Sequence, residues 1–301
     1  MDDREILHGL WQHCTQGGPA ANSRQAARAL YARGITLEDT LQLLFHAQPA
    51  EDDFLSWIAA RTRPMPAEAL LPHADVLTGA ELRFWEENGY LVLRHAVPQA
   101  QCLAAQAAIW DFLDARPDDP ASWYKAHPGK RGLMLQFSDH PALAANRHSV
   151  RIRRAYQQLY GKQAIYASVD KTSFNPPEND GYRFMGSPLH WDTSLQQPIP
   201  FKLQGMLYLS DCPAGHGAFH CVPGFHRRIG GWLASVPPGQ APREWAIDHL
   251  HPVPVEGQAG DFIIWHQALP HCASANRGAF PRMVQYLTYL PEDGEDQAFW
   301  I

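Results

Sequence analysis

The sequence predicts a mainly β fold with helices, an α+β chain whose core is an antiparallel sandwich or barrel of the jelly-roll kind behind an N-terminal helical extension. Two observations carry this. From residue 164 onward, short apolar runs recur at 165–169, 172–175, 189–193, 203–209, 218–222, 251–255, 261–265 and 284–290, each bounded by Pro, Gly, Asp or Asn, which is how short strands and their turns read. Before residue 62 the apolar side chains fall at helical spacing instead, as in Ile6, Leu7, Leu10 and Trp11.

Taken in order, Ala26, Ala27, Leu30 and Tyr31 form a second helical stripe, residues 34–40 restart the chain, and Leu41, Leu43, Leu44 and Phe45 continue it. A fourth stripe, Phe54, Leu55, Ile58 and Ala59, ends before a linker at Pro64 and Pro66. No chemistry is visible here, and packing, a lid or oligomerisation is the expected role. Thr78 and Glu81 then have capping-box spacing, and the helix they open should stop at Asn88-Gly89. Residues 90–93 read as a strand, 101–113 as a helix, 132–137 as a strand within a polar stretch, and 147–160 as a helix.

At 301 residues, with 45% apolar and 19% charged side chains, the chain is long enough to bury a sizeable core. A formal charge of −6 without a basic block offers nucleic acid no electrostatic footprint. No apolar run approaches the roughly 18 residues of a membrane span, and the acidic start lacks a signal peptide's basic lead. The expected location is cytoplasmic. Five cysteines, odd in number and without a Cys-x-x-Cys pair, argue against disulfides or a zinc knuckle; Cys272 is read as packing.

The chemistry centres on His190-Trp191-Asp192. In an extended run, residues two apart point the same way, so His190 and Asp192 aim at one point while Trp191 faces away. His-x-Asp also occurs by chance in a chain with 16 histidines. A third ligand is needed, and His271 and His266 compete for that place. Two imidazoles and one carboxylate that leave metal positions open are the arrangement of non-haem Fe(II) oxygenases. Asn276 and Arg282 follow His271, and Arg282 opens an apolar strand. A guanidinium inside a sheet calls for an anion, whereas one on the rim would keep its charge in water.

His190-x-Asp192, residues 207–211, 215–219 and 222–226, Gly260-Asp261, and then His271, Asn276 and Arg282 together resemble the phytanoyl-CoA dioxygenase family of Fe(II)/2-oxoglutarate-dependent oxygenases. Residues 77–93 resemble that family's opening helix and strand. The resemblance covers about residues 77–291 as a double-stranded β-helix oxygenase domain, leaving 1–76 as a helical extension and 292–301 as a tail. It implies iron held by His190, Asp192 and His271, the last favoured over His266 by the Asn and Arg that follow it. It further implies that Arg282 binds the distal carboxylate of 2-oxoglutarate, with Asn175 and Thr193 on the same co-substrate. The family often carries Ser where this chain has Ala273, and Ser274 is the substitute considered. With O2 the expected outcome is hydroxylation, or another oxidation, of a small molecule with release of succinate and CO2. An acidic ligand at 192 disfavours halogenation.

Two alternatives stay open at this point, a cupin-like metalloenzyme that does not use 2-oxoglutarate and a non-catalytic jelly-roll binding protein with a vestigial site. Trp191, Phe201, Trp232 and Trp265 read as core, Gln136 and Lys171 as solvated or structural groups, His220 and His226 as structural, and Arg227-Arg228 as surface. Substrate identity and oligomeric state are left open.

Overall fold

Asp2 and Glu5 open the first helix as a capping box, each side chain accepting a backbone N–H the helix start would leave unpaired. The computed structural model describes residues 2–19, 22–63, 74–184 and 187–294. In it this helix, α1, spans Asp3–Gln16 and is followed by α2 (Ser23–Tyr31), α3 (Leu37–Gln42), a wider turn at Leu43–Ala47, and α4 (Glu51–Arg61). Asn22 and Thr36 cap α2 and α3 through their side chains. The four expected stripes meet in a core of their own that includes Leu7, Leu30, Leu44, Phe54 and Ile58. Ion pairs Arg28–Glu292, Arg63–Asp139 and Lys171–Glu38 tie this helical group to the rest of the chain. The linker expected at Pro64 and Pro66 lies outside the described residues.

Thr78 and Glu81 close the anticipated capping box on α5 (Gly79–Asn88), and Gly89 ends it at φ 72°, a left-handed conformation that glycine adopts without strain. After it come β1 (Tyr90–Leu93), α6 (Gln99–Phe112), β2 (Lys130–Arg131), β3 (Met134–Leu135), α7 (Pro141–Arg147), α8 (Val150–Tyr160), β4 (Ile165–Ala167), β5 (Thr172–Asn175), β6 (Leu203–Tyr208) and β7 (Phe219–Cys221). The chain ends with α9 (Ile229–Ser235), α10 (Pro242–His249), β8 (Val253–Val255), β9 (Phe262–His266), β10 (His271–Ala273), β11 (Arg282–Tyr286) and β12 (Tyr289–Pro291). No helix among the described residues is long and apolar enough to cross a membrane.

The strands form a seven-stranded sheet ordered β1-β9-β6-β11-β5-β3-β2, a three-stranded sheet ordered β10-β7-β8, and the pair β12-β4. Every ladder is antiparallel. Side-chain alternation along each strand divides the large sheet cleanly. On one face Leu93, Leu203, Leu207, Phe262 and Ile264 pack with Ile109 of α6 and with Ile152 and Tyr156 of α8. On the other, Met206, Tyr208, Ile263, Trp265 and Val284 pack with Phe219, Cys221 and Val255 of the small sheet. Residues of β2, β3 and β5 take no part in that second core, so the large sheet extends beyond its cover.

Several expected elements differ, each for a hydrogen-bonding reason. Residues 189–193 are not a strand; one antiparallel bridge joins His190 to His271, and the neighbouring carbonyls of Trp191 and Thr193 are taken by the Arg243 side chain. The expected strand over 284–290 is two strands, because Leu287 N–H bonds Gly205 while Thr288 N–H turns to the Ser168 hydroxyl beside β4. The helix expected over 147–160 is split at Ser149, whose hydroxyl caps α8. Residues 233–250, between the apolar runs at 218–222 and 251–255, contain the end of α9 and all of α10.

Gly205 sits mid-strand in β6, where a Cβ would run into the Tyr156 hydroxyl and the Phe262 ring. Gly205→Ala should therefore destabilise the fold by about 1–3 kcal/mol through overpacking, read as a lower midpoint in urea or thermal unfolding. An unchanged midpoint would show that α8 can move away from the sheet at little cost.

Candidate metal centre

His271 begins β10, where it pairs with Cys221 of β7. His190 has no ladder of its own and is placed by His271: each backbone N–H bonds the other residue's carbonyl, at 3.0 and 2.9 Å. Asp192 is fixed from both sides. Arg243 of α10 donates Nη1 to the Trp191 carbonyl at 2.9 Å and Nη2 to the Thr193 carbonyl at 2.7 Å, and the Trp191 indole donates to the Ala268 carbonyl at 2.9 Å. Trp191 thus faces away into the core, as expected, and Asp192 faces the two rings.

One ligand atom from each of His190, Asp192 and His271 lies within 4.8 Å of the other two. His271 Nε2 is 3.2 Å from Asp192 Oδ2 and His190 Nε2 is 3.5 Å from Oδ1. The far ring nitrogens identify the tautomer. Nδ1 of His190 is 2.8 Å from the Pro188 carbonyl and Nδ1 of His271 is 3.2 Å from that of Leu269. Carbonyls only accept, so in neutral rings Nδ1 carries the hydrogen and both Nε2 lone pairs turn towards the carboxylate. Three acceptors meeting at one point call for a cation. Burial and the neighbouring His271 hold His190 below the usual imidazole range. Burial alone would raise Asp192, but the protonated form of His271, whose Nε2 then donates to Oδ2, the Gln204 amide and the protonated form of His190 outweigh it and hold the carboxyl well below its ordinary range; in those forms a proton stands where the neutral rings would hold a cation. Both shifts favour the metal-ligating forms.

Two side chains that the sequence reading did not single out support the cluster. Arg243 is one. The other is Gln204 of β6, which donates Nε2 to Asp192 Oδ2 at 2.8 Å and accepts the Trp265 indole N–H at 3.0 Å. The only signal in the sequence was a polar residue within an otherwise apolar strand, on the face that carries Met206 and Tyr208. His266, the rival third ligand, stays outside the cluster. Its Nδ1 accepts the Ala268 N–H at 2.9 Å, and its ring packs against Phe201 and His226.

Arg282 is 2% exposed, which rules out the rim alternative. It sits opposite Asn175 across the β11–β5 ladder, with Nη2 3.8 Å from Met206 Sδ. Its Nε and Nη1 have no partner, nor do Asn175 Oδ1 and Ser173 Oγ on the next strand. Gly217, at φ 79°, completes the cradle: a Cβ there would stand 2.6 Å from Asn175 Nδ2. Asn276 is structural, donating to the Asn175 and Phe280 carbonyls at 2.9 and 2.8 Å. The Ser274 hydroxyl is turned to the Ala218 carbonyl at 3.3 Å while its own carbonyl accepts from Asn175. Thr193 is buried beside the ligand segment. Donors without partners buried next to a metal-type cluster fit a bound organic anion.

If Gln204 holds the carboxylate for metal, Gln204→Leu should weaken Co(II) or Fe(II) binding by about 10- to 100-fold; equal affinity by titration would remove that role. A second expectation concerns His266, which burial and the adjacent His226 push down to about 4. With the folded value below the unfolded one of about 6.5, its contribution to stability is complete above pH ~6.5 and is lost as pH falls towards 4. His266→Asn should therefore show a flatter loss of unfolding midpoint across that window than the parent; parallel curves would contradict this.

The family model for phytanoyl-CoA dioxygenase matches residues 85–284. A Dictyostelium discoideum protein assigned to the phytanoyl-CoA dioxygenases is 19% identical, covering 69% of this chain and 74% of its own. The methylphosphonate hydroxylase of Gimesia maris is 24% identical, covering 71% and 80%. Among solved structures, the epimerase SnoN in complex with Fe3+, alpha-ketoglutarate and nogalamycin RO superposes with a TM-score of 0.53 at 17% identity, covering 72% of this chain and 85% of that one; at such identity the likeness speaks for the fold. The chain belongs to the phytanoyl-CoA dioxygenase family of Fe(II)/2-oxoglutarate-dependent oxygenases.

Proposed function

We propose that this protein oxidises a small molecule, most simply by hydroxylation, using Fe(II), 2-oxoglutarate and O2 and releasing succinate and CO2. The observation that carries this is Arg282, a buried guanidinium with two unpartnered nitrogens, Nε and Nη1, on the sheet face that also bears Gln204, the partner of Asp192. His190, Asp192 and His271 are the residues that would hold iron. Arg282 would take the distal carboxylate of 2-oxoglutarate in a forked, charge-assisted contact, with Asn175 beside it. Thr193 contributes through the segment it shares with Asp192, and Ser274 through the carbonyl that orients Asn175. When bound, the iron and its co-substrate supply the oxidising power. The chain fixes the ligand geometry and neutralises the diacid.

In this reading residues 77–291 form a double-stranded β-helix, the small sheet facing the large one across the centre, with residues 1–76 an extension and 292–301 a tail. Relatives support a small-molecule substrate. One is named for methylphosphonate hydroxylation, and one was solved with nogalamycin RO. The burial of Arg282 disfavours a cupin-like enzyme that does without 2-oxoglutarate, and the intact donor set disfavours a vestigial site.

The test is anaerobic titration with Fe(II) and 2-oxoglutarate, following the weak visible charge-transfer band. The parent should develop the band. Arg282→Ala should need about 10- to 100-fold more 2-oxoglutarate, the scale of a lost charge-assisted contact. Superimposable titrations would take Arg282 out of co-substrate binding, and no band in the parent would refute the reading as a whole.

A further inference from the structure

The large sheet runs past the small one at β5, β3 and β2, and on this uncovered end a cleft of about 520 Å³ lies between the strands and the N-terminal helices. Its inner wall includes Gln136 and Lys171, its outer wall Leu41, Gln42 and Phe45, and Glu38 reaches across to pair with Lys171.

Strand register relates this cleft to the metal centre. Gln285 pairs with Thr172 and Leu135 pairs with Thr172, so Tyr286, Lys171 and Gln136 occupy one cross-strand row. Tyr286 N–H bonds the Lys171 carbonyl, and the row continues through Met206, the partner of Tyr286, to Ile263. Alternation puts Lys171 on the same face as Ser173 and Asn175, and Met206 on the same face as Gln204, which bonds Asp192. Strands lie about 4.8 Å apart, so Lys171 is about 10 Å across the sheet from Met206. The row thus leads from the cleft, past Tyr286, to the face of β6 whose Gln204 holds Asp192.

We propose, resting on the oxygenase reading above, that the N-terminal helices complete the primary-substrate site, and that the Lys171–Glu38 pair recognises a head group of no net charge carrying both a hydrogen-bond donor and an acceptor, an amide or amino-acid zwitterion, while the body of the substrate runs along this row towards the metal ligands. The pair presents one cation and one anion side by side, and Gln136 and Gln42 each offer an amide donor and acceptor. A lone carboxylate would have to displace Glu38 from Lys171, and a lone ammonium would have to displace Lys171 from Glu38. The other acids of the cleft do not alter this balance: Asp170 accepts the Lys171 backbone N–H at 2.7 Å and lies next to the buried Arg147, while Asp39 is exposed to water. Phe45 and Leu41 suit an aliphatic body.

Four probes that share an eight-carbon chain test this: octanamide, 2-aminooctanoic acid, octanoate and octylamine. Binding to the metal-free full-length chain is followed by ligand-observed NMR, so this arm does not depend on iron or 2-oxoglutarate. Octanamide and 2-aminooctanoic acid should bind at least tenfold more tightly than octanoate and octylamine. Glu38→Gln and Lys171→Met should each weaken the zwitterion at least tenfold. With Mn(II) added, the methyl end of the bound probe should broaden more than the head. Binding of none of the four, equal binding of the singly charged pair, or a head broadened as much as the tail would overturn the proposal. Should Mn(II) fail to bind, the metal reading falls, and head-group selectivity in the parent still decides the cleft.

Discussion

Two backbone hydrogen bonds between His190 and His271 hold the site together. They join an irregular segment to the first residue of β10, and without them His190 would have no fixed position relative to the small sheet. The direction of Asp192 is set beside it, because the residues on either side are held by Arg243 and by the Trp191 indole. The ligand side chains are thus positioned through their backbone. The rings themselves stay free to present Nε2, since their Nδ1 atoms are occupied by carbonyls two residues earlier.

How much of this was legible in the sequence depended on whether a residue's role was local. The capping box at Thr78, the stop at Gly89 and the four N-terminal stripes rest on neighbours a few positions apart, and they appear where expected. The His-x-Asp pair could be read because alternation alone aims two side chains together. Its backbone could not: the strand expected over 189–193 gives way to a side chain from α10, a helix that apolar periodicity did not reveal. Gln204 was missed for a related reason. Nothing about a glutamine in an apolar strand indicates its partner until the β6–β9 register sets it opposite Trp265. Arg282 was the intermediate case, where the sequence posed two alternatives and burial chose between them.

The division of the large sheet into two faces explains how such a site can be tolerated. One face is covered by α6 and α8 and packs through a large apolar core, with Gln285 buried there in hydrogen bonds to Asn146 and the Leu143 carbonyl. The other carries polar residues at its open end and apolar ones under the small sheet. Hydrophobic burial on both sides of β6, β9 and β11 fixes these strands independently of the chemistry at their ends. Substitutions among the polar residues can therefore change ligand binding without removing the packing that defines the strands.

That separation matters because the site gathers polar groups that the fold itself pairs only in part. Ligand-type atoms of His190, Asp192 and His271 lie within 4.8 Å of one another, and the buried Arg282 has two nitrogens, Nε and Nη1, without a partner. Each buried group left without a partner costs on the order of 1–3 kcal/mol, which is comparable to a sizeable part of a domain's net stability. A cation would suit the three ligand atoms, and a carboxylate would suit the guanidinium better than a neutral acceptor. The two features thus fit a pair of ligands of opposite charge side by side, and the cores on either face of the sheet fix the strands that carry both sets of residues.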